Sequence, residues 1–305
     1  MEFGIQTRGS WEHILRVAGW AEDRGGIVAI ALPDHYLQRG DDPEKPAWDH
    51  LVHLAGLARE TDLELVSMVS PVTFRHPAVL YKMGVTLDEI SDGRFTLGLG
   101  TGWLDEEFEL YGLPYPEMSV RMAMLEEAMA YLRTALTPGS GGFKGEHYQL
   151  ADFDPQPRPK NLRLMTGGAG KRRGRSIVAR YADEFNLYAR RPEVYREVKE
   201  LTDAETRAEG RDPASIRWTS AGPGLAARKE SDYRRLLEEM AQVTGQSVER
   251  IETVYEERGY PHGSGDKPAE MMAALADAGC QRFFPQAFVT DLATYDLILD
   301  AYTGR

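Results

Sequence analysis

Asp34 and His35 stand side by side immediately after the unbroken apolar run Ile27–Leu32. A histidine there could take or give a proton near neutral pH, since imidazole is the side chain that changes charge in that range; the plainer alternative is a loop histidine beside a solvated aspartate. A second group is Gly98-x-Gly100-Thr101-Gly102, followed by Trp103 and the carboxylates Asp105, Glu106 and Glu107. A dinucleotide fingerprint needs a different glycine spacing, and three acids at a helix start would repel a pyrophosphate. Glycines here would instead let a flat ring approach the backbone. The third group is Thr166-Gly167-Gly168-Ala169-Gly170, running into Lys171-Arg172-Arg173. A strand end, a small-residue loop and a helix start with cations make a phosphate cradle; the alternative is a tight turn with a solvated basic face. It is not a P-loop, which would need Gly at Met165 and Ser or Thr at Arg172.

Other constellations carry less. His50 and His53, with Asp49, could pass for metal ligands, but a helix side facing solvent or the exterior of the fold explains them, and no metal site is expected. There is no HExxH and no Gly-x-Ser-x-Gly. Glu106, Glu107 and Glu109 share one short segment and cannot face each other across a glycosidic bond. Met118, Met122, Met124 and Met129 read as adaptable packing.

The elements that must position these groups alternate in type. Strands are expected at Phe3–Thr7, Ile27–Leu32, Leu63–Val69, Phe95–Leu99, Leu162–Met165, Glu184–Tyr188, Ile216–Ala221 and Cys280–Pro285. Helices are expected at Ser10–Asp23, Pro46–Glu60, between the third and fourth strands, and at Met118–Leu136, Gly174–Tyr181, Pro192–Ala208, Ala269–Ala278 and Leu292–Tyr302. Two further helices split near Gly245-Gln246-Ser247. Eight such alternations predict an α/β fold, a (β/α)8 TIM barrel in one domain over residues 1–305, with an insertion between strands 4 and 5 and extra helices between strands 7 and 8. The glycine- and proline-rich stretch from Thr137 to Asn161 is too long for a standard connection and reads as a lid or an insertion. Chemistry in such barrels sits at the C-terminal strand ends, which here means Gln6-Thr7, Asp34-His35, Ser67–Ser70, Gly100–Glu107, Thr166–Gly170, Asn186–Tyr188 and Gly222–Gly224.

The totals agree with a small-molecule enzyme. A formal charge of -12 over 305 residues argues against nucleic acid and against an acidic membrane face. The lone Cys280 rules out an internal disulfide and a paired-thiolate zinc site. No apolar run is long enough to span a bilayer, and Phe3-Gly4-Ile5 opens a strand with no leader before it, which reads as cytoplasmic.

Together these residues resemble the bacterial luciferase-like superfamily of flavin and deazaflavin enzymes. The likeness covers nearly the whole chain and is strongest over Ser70–Gly112, Leu164–Asn186 and Phe143–Leu150. Within it, Ala31-Leu32-Pro33-Asp34-His35-Tyr36 is similar to the coenzyme F420-dependent branch. That resemblance implies that Asp34 helps hold the deazaflavin and that His35 acts as the catalytic acid or base beside it. It implies a non-prolyl cis bond between Ser67 and Met68, with Ser70 also near the cofactor. Gly100, Thr101, Gly102 and Glu106 would form the adjoining turn, and Thr166, Gly167, Gly168, Ala169 and Gly170 the phosphate loop. Gln6 and Trp103 are left for the substrate pocket. The function expected on this basis is F420-dependent hydride transfer to or from a small organic molecule, in a homodimer. The alternative is an FMN-dependent monooxygenase using O2, and a third reading is a barrel that carries a cofactor without turnover.

Overall fold

The computed structural model describes residues 1–37, 45–188, 191–286 and 291–305. Eight parallel strands close into a barrel: β1 (Glu2–Gln6), β2 (Ile27–Leu32), β3 (Glu64–Pro71), β4 (Phe95–Gly100), β7 (Arg163–Gly168), β8 (Glu184–Leu187), β9 (Arg217–Pro223) and β12 (Arg282–Gln286), in the cyclic order β1-β12-β9-β8-β7-β4-β3-β2. Around it run α1 (Trp11–Arg24), α2 (His50–Glu60), α3 (Pro77–Ile90), α5 (Met118–Leu136), α6 (Arg172–Tyr181), α7 (Pro192–Ala208), α10 (Lys267–Asp277) and α11 (Leu292–Thr303). The expected (β/α)8 barrel is therefore what the chain forms. Among the described residues no helix is long and apolar enough to cross a membrane.

Local chemistry sets the boundaries. Ser10 caps α1 by accepting from the His13 amide, and Asp49 caps α2 by accepting from Val52 at 3.1 Å. Capping by Asp49 is why α2 starts at His50 and not at Pro46. Pro77 and Pro192 occupy the first positions of α3 and α7, where a missing N–H costs nothing.

Alternation along each strand separates two apolar layers. Outward residues such as Ile30, Leu65, Leu97 and Leu164 pack beneath the helices. Inward residues Ala29, Ala31, Val66, Met68, Met165, Ala221 and Phe284 fill the barrel. Gly4 is glycine because a Cβ there would lie 2.2 Å from the Phe284 ring. The N-terminal end is plugged by charge: Arg282, 1% exposed, donates to Glu64 at 2.9 and 3.0 Å and to Glu2 at 2.7 and 2.9 Å, while Arg217 reaches Glu64 at 2.7 Å. Burial opposes ionisation of Glu64, but these guanidiniums outweigh it and hold its carboxyl down at about 2.

The insertion packs against α3, α5 and the end of β3, where the Tyr148 hydroxyl donates to the Val72 carbonyl at 3.4 Å. It contains a two-stranded ladder, β5 (Phe143–Lys144) and β6 (Gln149–Leu150), whose turn is held by Glu127 accepting the amides of Glu146, His147 and Tyr148. It then descends along α3, with Tyr81 donating to the carbonyls of Pro155 and Pro157 and Asp88 accepting from Lys160 and Asn161. Over this part it straps the outer flank of the barrel. Between β9 and β12 lie α8 (Glu230–Thr244), α9 (Val248–Arg258) and a parallel pair, β10 (Leu225–Ala227) with β11 (His262–Ser264).

Candidate active site at the C-terminal mouth

At the end of β2 the neighbours Asp34 and His35 point to different places. Asp34 is 1% exposed and faces the barrel wall. Its carboxylate takes Arg75 Nη1 at 2.5 Å and lies 3.0 Å from His50 Nδ1. Desolvation would raise its pKa; His50 and Arg75 overcome that and hold it at about 2. A carboxylate spent in this way has no oxygen turned toward the mouth, so the expectation that Asp34 contacts the cofactor is corrected: it holds the wall behind it.

The wall it holds is the end of β3. His50 Nε2 lies 2.8 Å from Ser67 Oγ and 3.4 Å from Ser70 Oγ, and both serines are fully buried. The carboxylate beside Nδ1 places that nitrogen's proton toward Asp34, leaving Nε2 to accept from the serines. His50, read from sequence as an outward-facing helix residue, is instead the central link of a buried Arg75–Asp34–His50–serine chain. The signal for it was faint: it occupies the first turn of α2, where side chains project beyond the helix flank.

The non-prolyl cis bond joins Met68 to Val69, one bond later than expected. Register against β4 explains the placement. Ser67 pairs with Leu97 and Ser70 with Leu99, so three steps on β3 match two on β4. The extra residue turns Val69 inward. A Cβ on Gly98 would fall 2.9 Å from Val69 Cγ1 and 2.2 Å from the Ser67 carbonyl, and one on Gly100 2.6 Å from Val69 Cγ2. Those two glycines make room for the bulge and not, as read from sequence, for a ring. Met68 lies in the barrel interior, and Ser67 and Ser70 lie behind the wall, so Val69 is the bulge residue that borders the mouth.

His35 is held by a residue that the sequence reading passed over. Its Nδ1 lies 3.1 Å from Glu107 Oε1, and Glu107 is completely buried and also accepts the Tyr36 amide at 2.9 Å. Glu107 belongs to α4 (Asp105–Leu110), which follows the Gly102 turn. Glu106, the acid chosen from sequence, is exposed. Leu104 and Phe108 are four apart, and Glu107 shares the inward side with Phe108; that spacing could have identified it. Trp103 stands edge-on to His35, with ring centres 5.4 Å apart. Gly102 needs its positive φ of 74° and has no space for a Cβ beside Phe108. Thr101 and Gly102 carbonyls accept from Arg121 at 3.1 and 2.8 Å, which anchors the turn.

The loop after β7 is open. Thr166 is buried, its hydroxyl donating to the Leu99 carbonyl at 3.0 Å, whereas Gly168 and Ala169 are exposed and Gly168 has nothing within 4 Å of its Cβ position. Gly170, at φ 73°, packs on Val198. The α6 N-terminus has no side-chain cap, so its amides are directed outward. Arg173 is paired with Glu126, and Arg175 with Glu205; Lys171 and Arg172 are exposed, with no carboxylate partner among the described residues. On the opposite side of the mouth, Gln286 donates to Gln6 Oε1 at 2.6 Å and Tyr188 reaches Gln286 Oε1 at 3.4 Å.

These features define a (β/α)8 barrel with a histidine, a bulged wall and an open glycine loop at its C-terminal mouth. The chain belongs to the luciferase-like monooxygenase family, whose model matches residues 3–293. Among curated proteins it is similar to the pyrimidine monooxygenase RutA of Pseudomonas savastanoi pv. phaseolicola, 37% identical over 48% of this chain and 42% of that protein, and to RutA of Caulobacter segnis, 30% identical over 70% of this chain and 62% of that one. It therefore spans roughly half the length of the curated relatives it matches. The riboflavin lyase RcaE, solved with modified FMN and riboflavin, superposes with a TM-score of 0.79 at 16% identity over 99% of this chain and 90% of that one. An F420-dependent secondary alcohol dehydrogenase does so with a TM-score of 0.79 at 16% identity over 99% and 98%.

The last figure shows fold alone. The expectation of F420-dependent hydride transfer is overturned by the sequence relatives, which are named monooxygenases. Of the residues that suggested it, Asp34 is turned into the wall.

Proposed function

We propose that this chain is a flavin-dependent monooxygenase acting on a small organic substrate at the C-terminal mouth of the barrel. The observation that carries the reading is sequence kinship with enzymes named as pyrimidine monooxygenases over 48 to 70% of the chain. The residues fit a flavin. Val69, backed by Gly98, Gly100 and Gly167, gives an apolar wall for a flat ring, and the open Gly168-Ala169 loop with the uncapped α6 amides, Lys171 and Arg172 suits a terminal phosphate. When bound, reduced flavin supplies the two electrons with which one atom of O2 enters the substrate and the other leaves as water.

The protein's own contribution is position and proton control. Glu107 keeps the proton of His35 on Nδ1, so Nε2 offers a lone pair at the rim of the mouth, where it can take a proton from the substrate. Trp103 shields one side of that imidazole from water. The Arg75–Asp34–His50 chain fixes Ser67 and Ser70, and with them the bulge that presents Val69.

The test is to titrate the purified chain with FMN by fluorescence quenching. It is then supplied with FMN reduced by a separate reductase under isotope-labelled O2, with a panel of pyrimidines, amides and ketones, and products are read by mass spectrometry. Products carrying one labelled oxygen are expected. Absence of FMN binding, or products without label, would refute the proposal.

A further inference from the structure

Gln6 and Gln286 close β1 and β12 in direct register. Two residues earlier on each strand, Gly4 and Phe284 meet inside the barrel. Strand alternation therefore turns both glutamine side chains inward too, one layer higher, at the floor of the mouth. Both are half-buried, and they are hydrogen-bonded into one line: the Tyr188 hydroxyl donates to Gln286 Oε1, and Gln286 Nε2 donates to Gln6 Oε1.

That line fixes which way each amide faces and leaves defined capacity over. Gln6 keeps both Nε2 hydrogens and one lone pair on Oε1; Gln286 keeps one Nε2 hydrogen. A primary amide carries its C=O and one N–H on the same edge. An open-chain secondary amide is trans and points its C=O and N–H in opposite directions. A ring forces the amide cis, so a lactam, imide or cyclic urea shows C=O and N–H on one edge. Among secondary amides, only the cyclic form can make two parallel hydrogen bonds to a Gln side chain, as Gln does with a nucleobase edge.

We propose that Gln6, oriented by Gln286 and Tyr188, is the element that selects substrate, and that the class selected is a planar ring with an unsubstituted cis-amide edge. The assignment rests on the monooxygenase reading for what happens to that ring; the recognition itself is a property of this chain's own side chains. A pyrimidine-dione belongs to the class, in keeping with the relatives' name. Methylation of the ring nitrogens removes the N–H and pushes a methyl group against Oε1.

The experiment is calorimetric titration of the full chain, with and without FMN, using uracil, 1,3-dimethyluracil and N-methylacetamide as probes. Uracil is expected to bind at least about tenfold more tightly than either of the others, because a buried polar site left unpaired is penalised. Gln6→Leu and the volume-matched Gln6→Glu, which removes the donors and keeps the shape, are each expected to erase that preference without changing FMN affinity. Equal binding of uracil and its dimethyl derivative, or a preference that survives both substitutions, would overturn the assignment. Uracil selectivity without FMN uptake would leave the amide site standing and sink the flavin reading; FMN uptake without selectivity would do the reverse.

Discussion

Asp34 supplies a sharp test of how the wall is held. Its carboxyl ionises at about 2 in the folded chain against an ordinary 3.8. The lowered value means that folding favours the ionised form, worth about 2 kcal/mol at neutral pH. The sign follows: this stability is fully present above the unfolded pKa and is lost as pH falls through the folded one. About half should be gone by pH ~3 and nearly all close to pH ~2. Asp34→Asn keeps the shape and removes the charge. Arg75 is not stranded by the change, because its other terminal nitrogen stays on Asp49, so the cost should fall near about 2 kcal/mol and not the 3 to 5 kcal/mol typical of leaving a buried partner alone. The assay is urea unfolding of both proteins between pH ~7 and ~3, read by tryptophan fluorescence. Comparing variant with parent removes the parallel titration of Glu64, also held at about 2. The gap between the two should be widest at neutral pH and shrink by about 1 kcal/mol on reaching pH ~3. A gap that stays flat with pH would refute the buried charge pairing.

Gly98→Ala should destabilise the chain by about 2 kcal/mol or more in the same unfolding assay, since its Cβ would press on the Ser67 carbonyl at 2.2 Å, while Gly168→Ala, with open space around it, should change stability by less than about 0.5 kcal/mol; equal effects would contradict the packing of the bulge. Glu107→Gln should keep the Tyr36 amide satisfied through the amide oxygen but present an NH2 to His35 Nδ1, moving the imidazole proton to Nε2. Steady-state turnover should drop about 10²-fold or more with the melting temperature nearly unchanged; normal turnover would remove the His35–Glu107 pair from the mechanism.

The architecture was legible because long elements repeat a pattern. Ile27–Leu32, Met118–Leu136 and Pro192–Ala208 match their expected bounds residue for residue. Strands of two or three residues, such as β5, β6, β10 and β11, are too short to show a period, and none of the four was expected. The site was legible by position more than by role. His35, Gln6 and the Thr166–Gly170 loop do lie at strand ends, yet sequence has no term for which of two adjacent residues turns inward. Asp34 was assigned to the mouth and lies in the wall; Glu106 was chosen where its neighbour Glu107 is buried; the cis bond fell one residue further along. Each error is a single-residue choice that tertiary packing makes, here through Arg75, Phe108 and the pairing of β3 with β4.

These choices have a common electrostatic result. Asp34 and Arg75 pair with each other behind the mouth, and the buried Glu107 carboxylate is held by His35 Nδ1 and the Tyr36 amide. Burying an unsatisfied carboxylate there would be costly, so each is given hydrogen-bond donors. What the strand ends then turn inward, among the described residues, is uncharged: two glutamines, a tyrosine hydroxyl, a valine, glycines and one imidazole. Lys171 and Arg172, with no carboxylate partner among the described residues, stand at the start of α6 beyond β7. A mouth divided in this way can hold an anionic cofactor tail at one edge and a neutral ring at its centre. That uncharged centre matches the neutral cis-amide proposed for Gln6.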